Sequence, residues 1–195
     1  MEKQKYAAIV LAAGSGKRMN SQVHKQYLII QDRPVLYYSL KEFEDSAVDE
    51  IVLVVGKGEE EFCRREIVDK YGISKVKAIV EGGKERYHSV FEGLKQTSDA
   101  DYVLIHDGAR PCIDAELLME CRRSVEQYGA CIPAVPVKDT IKITDEDGFC
   151  AGTPKRSTLM AVQTPQCFSF VTILEAYCAM EKALAENNAL ADVTD

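Results

Sequence analysis

The stretch Leu11-Ala12-Ala13-Gly14-Ser15-Gly16-Lys17-Arg18-Met19 holds the residues best suited to chemistry. An apolar run gives way to small residues, which let backbone N–H groups approach a ligand closely. Lys17, Arg18 and Lys25 lie in a window without an acidic residue. Elsewhere acid predominates: 31 Asp and Glu against 24 Lys and Arg, for a net charge of −7. A phosphate group would find its cations in this window. Two familiar phosphate loops are excluded. Lys17 is not followed by Ser or Thr, so this is no Walker loop. Met19 occupies the place of the third glycine of a dinucleotide fingerprint. An ordinary glycine turn with solvated basic side chains fits the same residues, and on their own they leave the two readings level.

A second group follows the apolar run Tyr102-Val103-Leu104-Ile105, namely His106-Asp107-Gly108 and then Arg110-Pro111. A carboxylate at the end of a buried strand suits a metal or a substrate hydroxyl; a turn aspartate bonding backbone N–H groups is the alternative. Pro111 restrains the loop that aims Arg110. His106 titrates near neutrality in principle, but beside a buried strand it reads equally as a hydrogen-bonded structural histidine. His24 and His88 read as exposed and without a role. The seven cysteines, at 63, 112, 121, 131, 150, 167 and 178, are odd in number and form no CxxC pair. A disulfide framework and a zinc site of standard spacing are therefore not expected, and free thiols suit a reducing cytoplasm. The acidic balance argues against a general nucleic-acid binder. No apolar stretch is long enough to cross a bilayer. The run Tyr6–Ala13 behind Lys3 and Lys5 imitates a secretion signal, but it is brief and Lys17 and Arg18 follow at once.

Positioning these groups falls to alternating strands and helices. The 195 residues, 46% hydrophobic and 28% charged, suit one globular domain spanning 1–195. Buried strands are expected at 6–12, 51–55, 76–80, 102–105 and 130–137, the last broken by Pro133 and Pro136. Helices are expected at 34–44, 59–71 with Phe62, Ile67 and Tyr71 inward, 86–95 and 114–128, the last capped by Asp114 and stopped by Gly129. This predicts an α/β fold: a mainly parallel central sheet with helices on both faces. Right-handed crossovers then gather the loops 12–18, 82–89, 106–111 and 137–140 at one sheet edge, where such folds bind ligands. Residues 138–157 break the alternation. They read as a projecting β-arm, a hairpin turning at Asp147-Gly148, which needs a second surface to be stable. A strand at 159–164 and a helix capped by Ser169 follow.

Taken together, the motifs resemble the 2-C-methyl-D-erythritol 4-phosphate cytidylyltransferase family of the nucleotidyltransferase superfamily. Besides the first loop, they are Lys25-Gln26-Tyr27, Gly82-Gly83 with Arg86 and Ser89, His106-Asp107-Gly108-Ala109-Arg110-Pro111, Val137-Lys138-Asp139-Thr140 and Gln163-Thr164-Pro165-Gln166. The resemblance covers nearly the whole chain. It implies a Rossmann-like nucleotidyltransferase fold and attack by a methylerythritol phosphate oxygen on the α-phosphorus of CTP, releasing pyrophosphate. It assigns Arg18 and Lys25 to catalysis. Ala12, Ala13, Gly14, Ser15, Gly16 and Lys17 would hold the nucleotide, with Gly82, Gly83 and Ser89 at the cytosine. Asp107, Arg110, Thr140, Arg156 and Thr164 would bind methylerythritol phosphate. Mg²⁺ would ride on the CTP phosphates, with Asp107 as its one protein candidate. The arm would cross to a second copy, making a cytoplasmic homodimer in isoprenoid biosynthesis, with no nucleic-acid or membrane partner.

The chain departs from the family pattern in three places. His24 replaces a common Pro, and Lys84 stands where some members carry an acid. The resemblance also implies a further strand and an Asn-Ile-Lys motif after Thr194-Asp195, and the sequence contains neither. Either the sequence is part of a longer chain or activity is impaired, so a truncated nucleotide-binding module without turnover stands beside the first function. So does a ribitol 5-phosphate cytidylyltransferase, a related polyol phosphate enzyme, over which Ala12-Ala13-Gly14 and His106-Asp107-Gly108-Ala109 favour the first. A dinucleotide-dependent oxidoreductase is disfavoured by the missing third glycine and the lack of a strand-two acid.

Overall fold

The computed structural model describes residues 3–14, 24–97 and 99–185. Strand β1 is Tyr6–Ala12, a two-residue ribbon β2 (Ile29–Ile30) and β3 (Arg33–Pro34) follows, and helix α1 is Val35–Asp45. Next come β4 (Glu50–Val55), α2 (Glu60–Cys63), β5 (Val76–Glu81), α3 (Arg86–Gln96), β6 (Tyr102–Asp107) and α4 (Ala115–Tyr128). The remainder is β7 (Ala130–Cys131), β8 (Ala134–Pro136), β9 (Ile143–Thr144), β10 (Cys150–Gly152), β11 (Met160–Val162), β12 (Gln166–Ser169) and α5 (Phe170–Ala185).

The central sheet has six strands in the order β5-β4-β1-β6-β12-β7. The first four are mutually parallel, while β12 runs antiparallel to both β6 and β7. Period-two alternation divides the core. Tyr6, Ala8 and Val10 of β1 face one layer with Leu36, Leu40 and Phe43 of α1, Cys63 and Ile67, and Leu118 and Val125 of α4. Ala7 and Ile9 face the other with Val90 and Leu94 of α3, backed by Ile173, Leu174 and Tyr177 of α5. Helices thus cover both faces, as strand hydrophobicity without alternation predicts. Asp114 accepts a hydrogen bond from the Leu117 amide at 2.8 Å and starts α4, and Gly129 stops it at φ 77°.

The structure corrects the expected elements in three places. The helix expected over 59–71 is α2 followed by a π-helical turn over Arg64–Asp69. The wide turn shifts the helical phase, so Cys63, Ile67 and Val68 are buried while Phe62 stays 43% exposed against the edge of Tyr27. The fifth strand leaves the sheet after Cys131, because Pro133 and Pro136 cannot donate to a ladder. Its continuation β8 pairs outside the sheet with β11, which is the strand expected over 159–164, present but shorter. The sheet is completed instead by β12, which was not expected. The arm is present: β9 and β10 pair antiparallel, Asp145 accepts the Phe149 amide at 2.8 Å, and Gly148 sits at φ 85°. The hairpin is shorter than expected, with Thr140 before its first paired residue.

Candidate active site

β1, β4, β5 and β6 all end on one edge, and the chain crosses from one side of β1 to the other between β4 and β6. This is the switch point at which open α/β sheets bind ligands. Because β12 is antiparallel, its N-terminal neighbours Gln163 and Thr164 arrive at this same edge, opposite the end of β6. The chain after β1, β4, β5 and β6, together with Thr164, therefore converges through topology alone, whereas the expected loop 137–140 follows β8, outside this sheet.

The first loop is held from below by Gln26. This side chain is only 1% exposed and donates to the Ala12 carbonyl at 2.6 Å, within 3.3 Å of the Gly14 carbonyl. Lys25, beside it, is exposed. Its segment is tied down by Glu59, whose carboxylate accepts the Gly56 amide at 3.1 Å and the Tyr27 hydroxyl at 2.7 Å, and lies 2.9 Å from His24 Nδ1. His24 is thus partly covered and partnered, not an idle surface group. Ser15, Gly16, Lys17 and Arg18 lie outside the described residues.

Gly82 and Gly83 close over this loop. A Cβ on Gly82 would come within 2.5 Å of the Ala13 Cβ, and one on Gly83 within 2.3 Å of the His88 Cβ. The buried Ser89 hydroxyl accepts the Gly83 amide at 3.1 Å and sits 3.3 Å from the Glu85 carbonyl. Ser89 therefore shapes the Gly82-Gly83 loop. His88, expected to be exposed, is part of a reciprocal cap with Glu85 at the start of α3.

Alternation along β6 separates His106 from Asp107. His106 points to the α1 layer, edge-on to Phe43, and Asp107 points to the α3 side. There Arg86 Nε meets Asp107 Oδ1 at 3.2 Å and Arg110 Nε meets Oδ2 at 3.1 Å. Asp107 thus holds two guanidiniums at the strand end, a donor arrangement that suits an anionic ligand. Arg110 is further steered by Gln163, and its carbonyl accepts the Ser39 hydroxyl at 3.2 Å.

His106 is fully buried, and that burial lowers its pKa to about 4, so the ring is neutral. Its tautomer follows from its neighbours. Nε2 lies 3.1 Å from the Arg110 carbonyl, which can only accept, so Nε2 carries the proton. Nδ1 then accepts the Thr164 hydroxyl at 2.8 Å. The Thr164 oxygen in turn lies 3.5 Å from the Asp107 amide. This chain connects β6, the Arg110 loop and the entry to β12. It commits the hydroxyl proton of Thr164 to a buried partner. Thr140 and Arg156 do not join this cluster through any bond seen among the described residues. Both are exposed at the base of the arm, where Arg156 donates to the Lys138 carbonyl at 3.1 Å. A cavity of about 600 Å³ lined by Arg33, Tyr37, Lys41 and Pro111 opens beside α1 and contains none of the expected site residues.

Comparison with known proteins shows the family to which the chain belongs. The family model of 2-C-methyl-D-erythritol 4-phosphate cytidylyltransferase matches residues 6–194. The chain belongs to this family. A cytidylyltransferase of that name from Lachnoclostridium phytofermentans is 51% identical over 174 residues, which is 89% of this chain and 75% of the relative. One from Lachnospira eligens is 51% identical over 189 residues, covering 96% of this chain and 81% of the relative. The solved 4-diphosphocytidyl-2C-methyl-D-erythritol synthase from Anaerococcus prevotii DSM 20548 matches at TM-score 0.80 and 35% identity, across 98% of this chain and 79% of that one. The cytidylyltransferase family thus supplies both the fold and the sequence pattern. Two features of this edge were not expected from the sequence: Arg86 as partner of Asp107, and Gln26 as clamp of the first loop. A Gln just after a basic residue gives no local signal of burial; only the close return of that segment beneath β1 shows it.

Proposed function

We propose that this cytidylyltransferase-family chain joins CTP to 2-C-methyl-D-erythritol 4-phosphate, giving 4-diphosphocytidyl-2-C-methyl-D-erythritol and pyrophosphate. A phosphate oxygen of the polyol attacks the α-phosphorus of CTP. The bond from that phosphorus to the bridging oxygen breaks, and pyrophosphate leaves with the electron pair. Two polyanions must meet, so the protein's contribution is positioning and positive charge. The observation that carries this reading is the Arg86–Asp107–Arg110 arrangement, set beside the glycine loops on the switch-point edge.

Arg18 and Lys25 neutralise the triphosphate and the charge that develops at the α-phosphorus. Backbone groups of 12–17 hold the phosphates, and the Gly82-Gly83 backbone, shaped by Ser89, reads the pyrimidine. Arg110, oriented by Asp107, faces the polyol phosphate, and an Asp107 oxygen accepts a polyol hydroxyl. Mg²⁺, with Asp107 as its one protein candidate, would supply positive charge that offsets the phosphates. Thr164 acts by fixing His106 and, through it, the Arg110 loop.

The arm completes the site from a second copy. Phe149 is 72% exposed, and Ile143, Val135, Met160 and Val162 of the arm and neighbouring ribbon are exposed as well. Such apolar area favours burial in a homodimer, which brings Thr140 and Arg156 to the partner's substrate. No helix of the described residues is long and apolar enough to cross a membrane, and seven thiols suit the cytoplasm. Pyrophosphate release from CTP and Mg²⁺ tests the assignment, with methylerythritol phosphate and ribitol phosphate in turn. Turnover with the first and little with the second supports it. The reverse preference assigns the ribitol reaction, and CTP binding without release from either assigns a binding module.

A further inference from the structure

At the β7 end of the sheet, the fold gathers three cysteines that sequence spacing keeps apart. Cys121 lies on α4, Cys131 ends the edge strand β7, and Cys167 lies on β12, directly opposite Cys131 in the antiparallel register. Their sulfurs all lie within 4.8 Å of one another. Cys121 and Cys167 are buried, and Cys131 is half-buried at the rim. The Cys131 thiol donates to the Cys121 carbonyl at 3.2 Å, and the Cys167 thiol to the Pro165 carbonyl at 3.6 Å.

Buried cysteine often behaves as a small apolar side chain, and one of these alone would need no other account. Three converging sulfurs from three elements are a different matter. A metal with bonds of about 2.3 Å to three sulfurs places them roughly 4 Å apart in a trigonal arrangement. The observed cluster needs only small side-chain rotations to reach that spacing. Hard ions such as Mg²⁺ prefer oxygen, whereas thiolates select soft ions. We propose that Cys121, Cys131 and Cys167 form a binding site for one soft, thiophilic metal ion in three-thiolate coordination. The balance needs no oxidant: three thiols and a divalent ion give the three-thiolate complex and three protons released to solvent. The bound ion ties α4 to both strands at the sheet edge, where β7 contributes only two residues to the ladder.

Cd²⁺ is the probe, titrated under reducing, oxygen-free conditions into the C112S/C150S/C178S variant, which lacks the exposed thiols but keeps the cluster and the buried Cys63. The expected result is one tight equivalent per chain, with thiolate-to-metal charge-transfer absorption, three thiols protected from a thiol reagent and a raised Tm. Adding C131S, or C131A if the serine variant loses its native circular dichroism, should weaken binding by more than the roughly 10–100-fold that loss of a supporting contact costs. Absence of the tight equivalent, equal affinity after loss of Cys131, or a disulfide within the cluster in place of bound metal would each overturn the proposal.

Discussion

Replacing Thr164 by Val removes one hydroxyl at nearly constant volume. That hydroxyl is the donor to His106 Nδ1, 2.8 Å away, in a place without water access. The ring cannot switch tautomer to compensate, because Nε2 must keep its proton for the Arg110 carbonyl. T164V therefore leaves a buried nitrogen acceptor unpaired, which costs about 1–3 kcal/mol. For a chain of this size, each kcal/mol lowers Tm by about 2–4 °C, so a fall of about 2–12 °C is expected. The damage propagates to the Arg110 carbonyl and the Asp107 amide, so the polyol phosphate site loosens. KM for methylerythritol phosphate should rise only a few-fold, with KM for CTP unchanged. T164S keeps the donor and should restore both stability and KM. Thermal melts and steady-state pyrophosphate release on the three proteins decide the matter. A T164V protein with unaltered Tm and a KM for the polyol phosphate raised by more than about tenfold (1.4 kcal/mol) would refute the reasoning. The hydroxyl would then be serving the substrate instead of His106.

Other predictions rest on the same edge. His106 has a folded pKa of about 4 against 6.5 when unexposed to burial, so the unfolded chain binds a proton in that interval that the folded chain does not. Its neutral burial is fully tolerated above pH 6.5 and becomes a liability as the pH falls toward 4; at about pH 5 the loss is roughly 2 kcal/mol, measured as a drop in urea midpoint that H106Q should flatten. G82A puts a methyl where Ala13 and Ser89 already sit, and the Ala13 Cβ cannot rotate away, so the loop must shift: KM for CTP should rise and Tm should fall; an unchanged KM would detach this loop from the nucleotide. Q26L strips a donor from the Ala12 carbonyl and should cost about 1–3 kcal/mol while weakening CTP binding, readable by calorimetry. R18A should lower kcat by about 10²–10⁵ with little loss of Tm, and parallel losses of both would argue for a structural role.

Much of this protein could be read from local pattern. The apolar runs at 51–55 and 102–105 mark buried strands because both faces of a covered parallel sheet are dry. Asp114 and Gly129 mark the ends of α4 because one satisfies an amide and the other adopts a left-handed turn. The clustered small and basic residues after β1 fit a phosphate loop and an ordinary glycine turn equally well, and only the family resemblance favours the first. The site was legible where residues adjacent in sequence remain adjacent in space, as with Asp107 and Arg110.

What the linear chain withheld was set by contacts between distant segments. β12 carries no alternation strong enough to reveal a strand; it is one because β6 and β7 leave ladder groups to be satisfied. Its antiparallel direction, which no local residue encodes, delivers Thr164 to His106 and Gln163 to Arg110. Arg86 faces Asp107 because α3 returns across the sheet, and Gln26 is buried because its segment doubles back under Ala12. The three thiols of Cys121, Cys131 and Cys167 meet for the same reason. Residue type and short-range period determine which elements form and which face each turns inward. Partner identity across long loops depends on how those faces are buried together, and only the assembled core decides it.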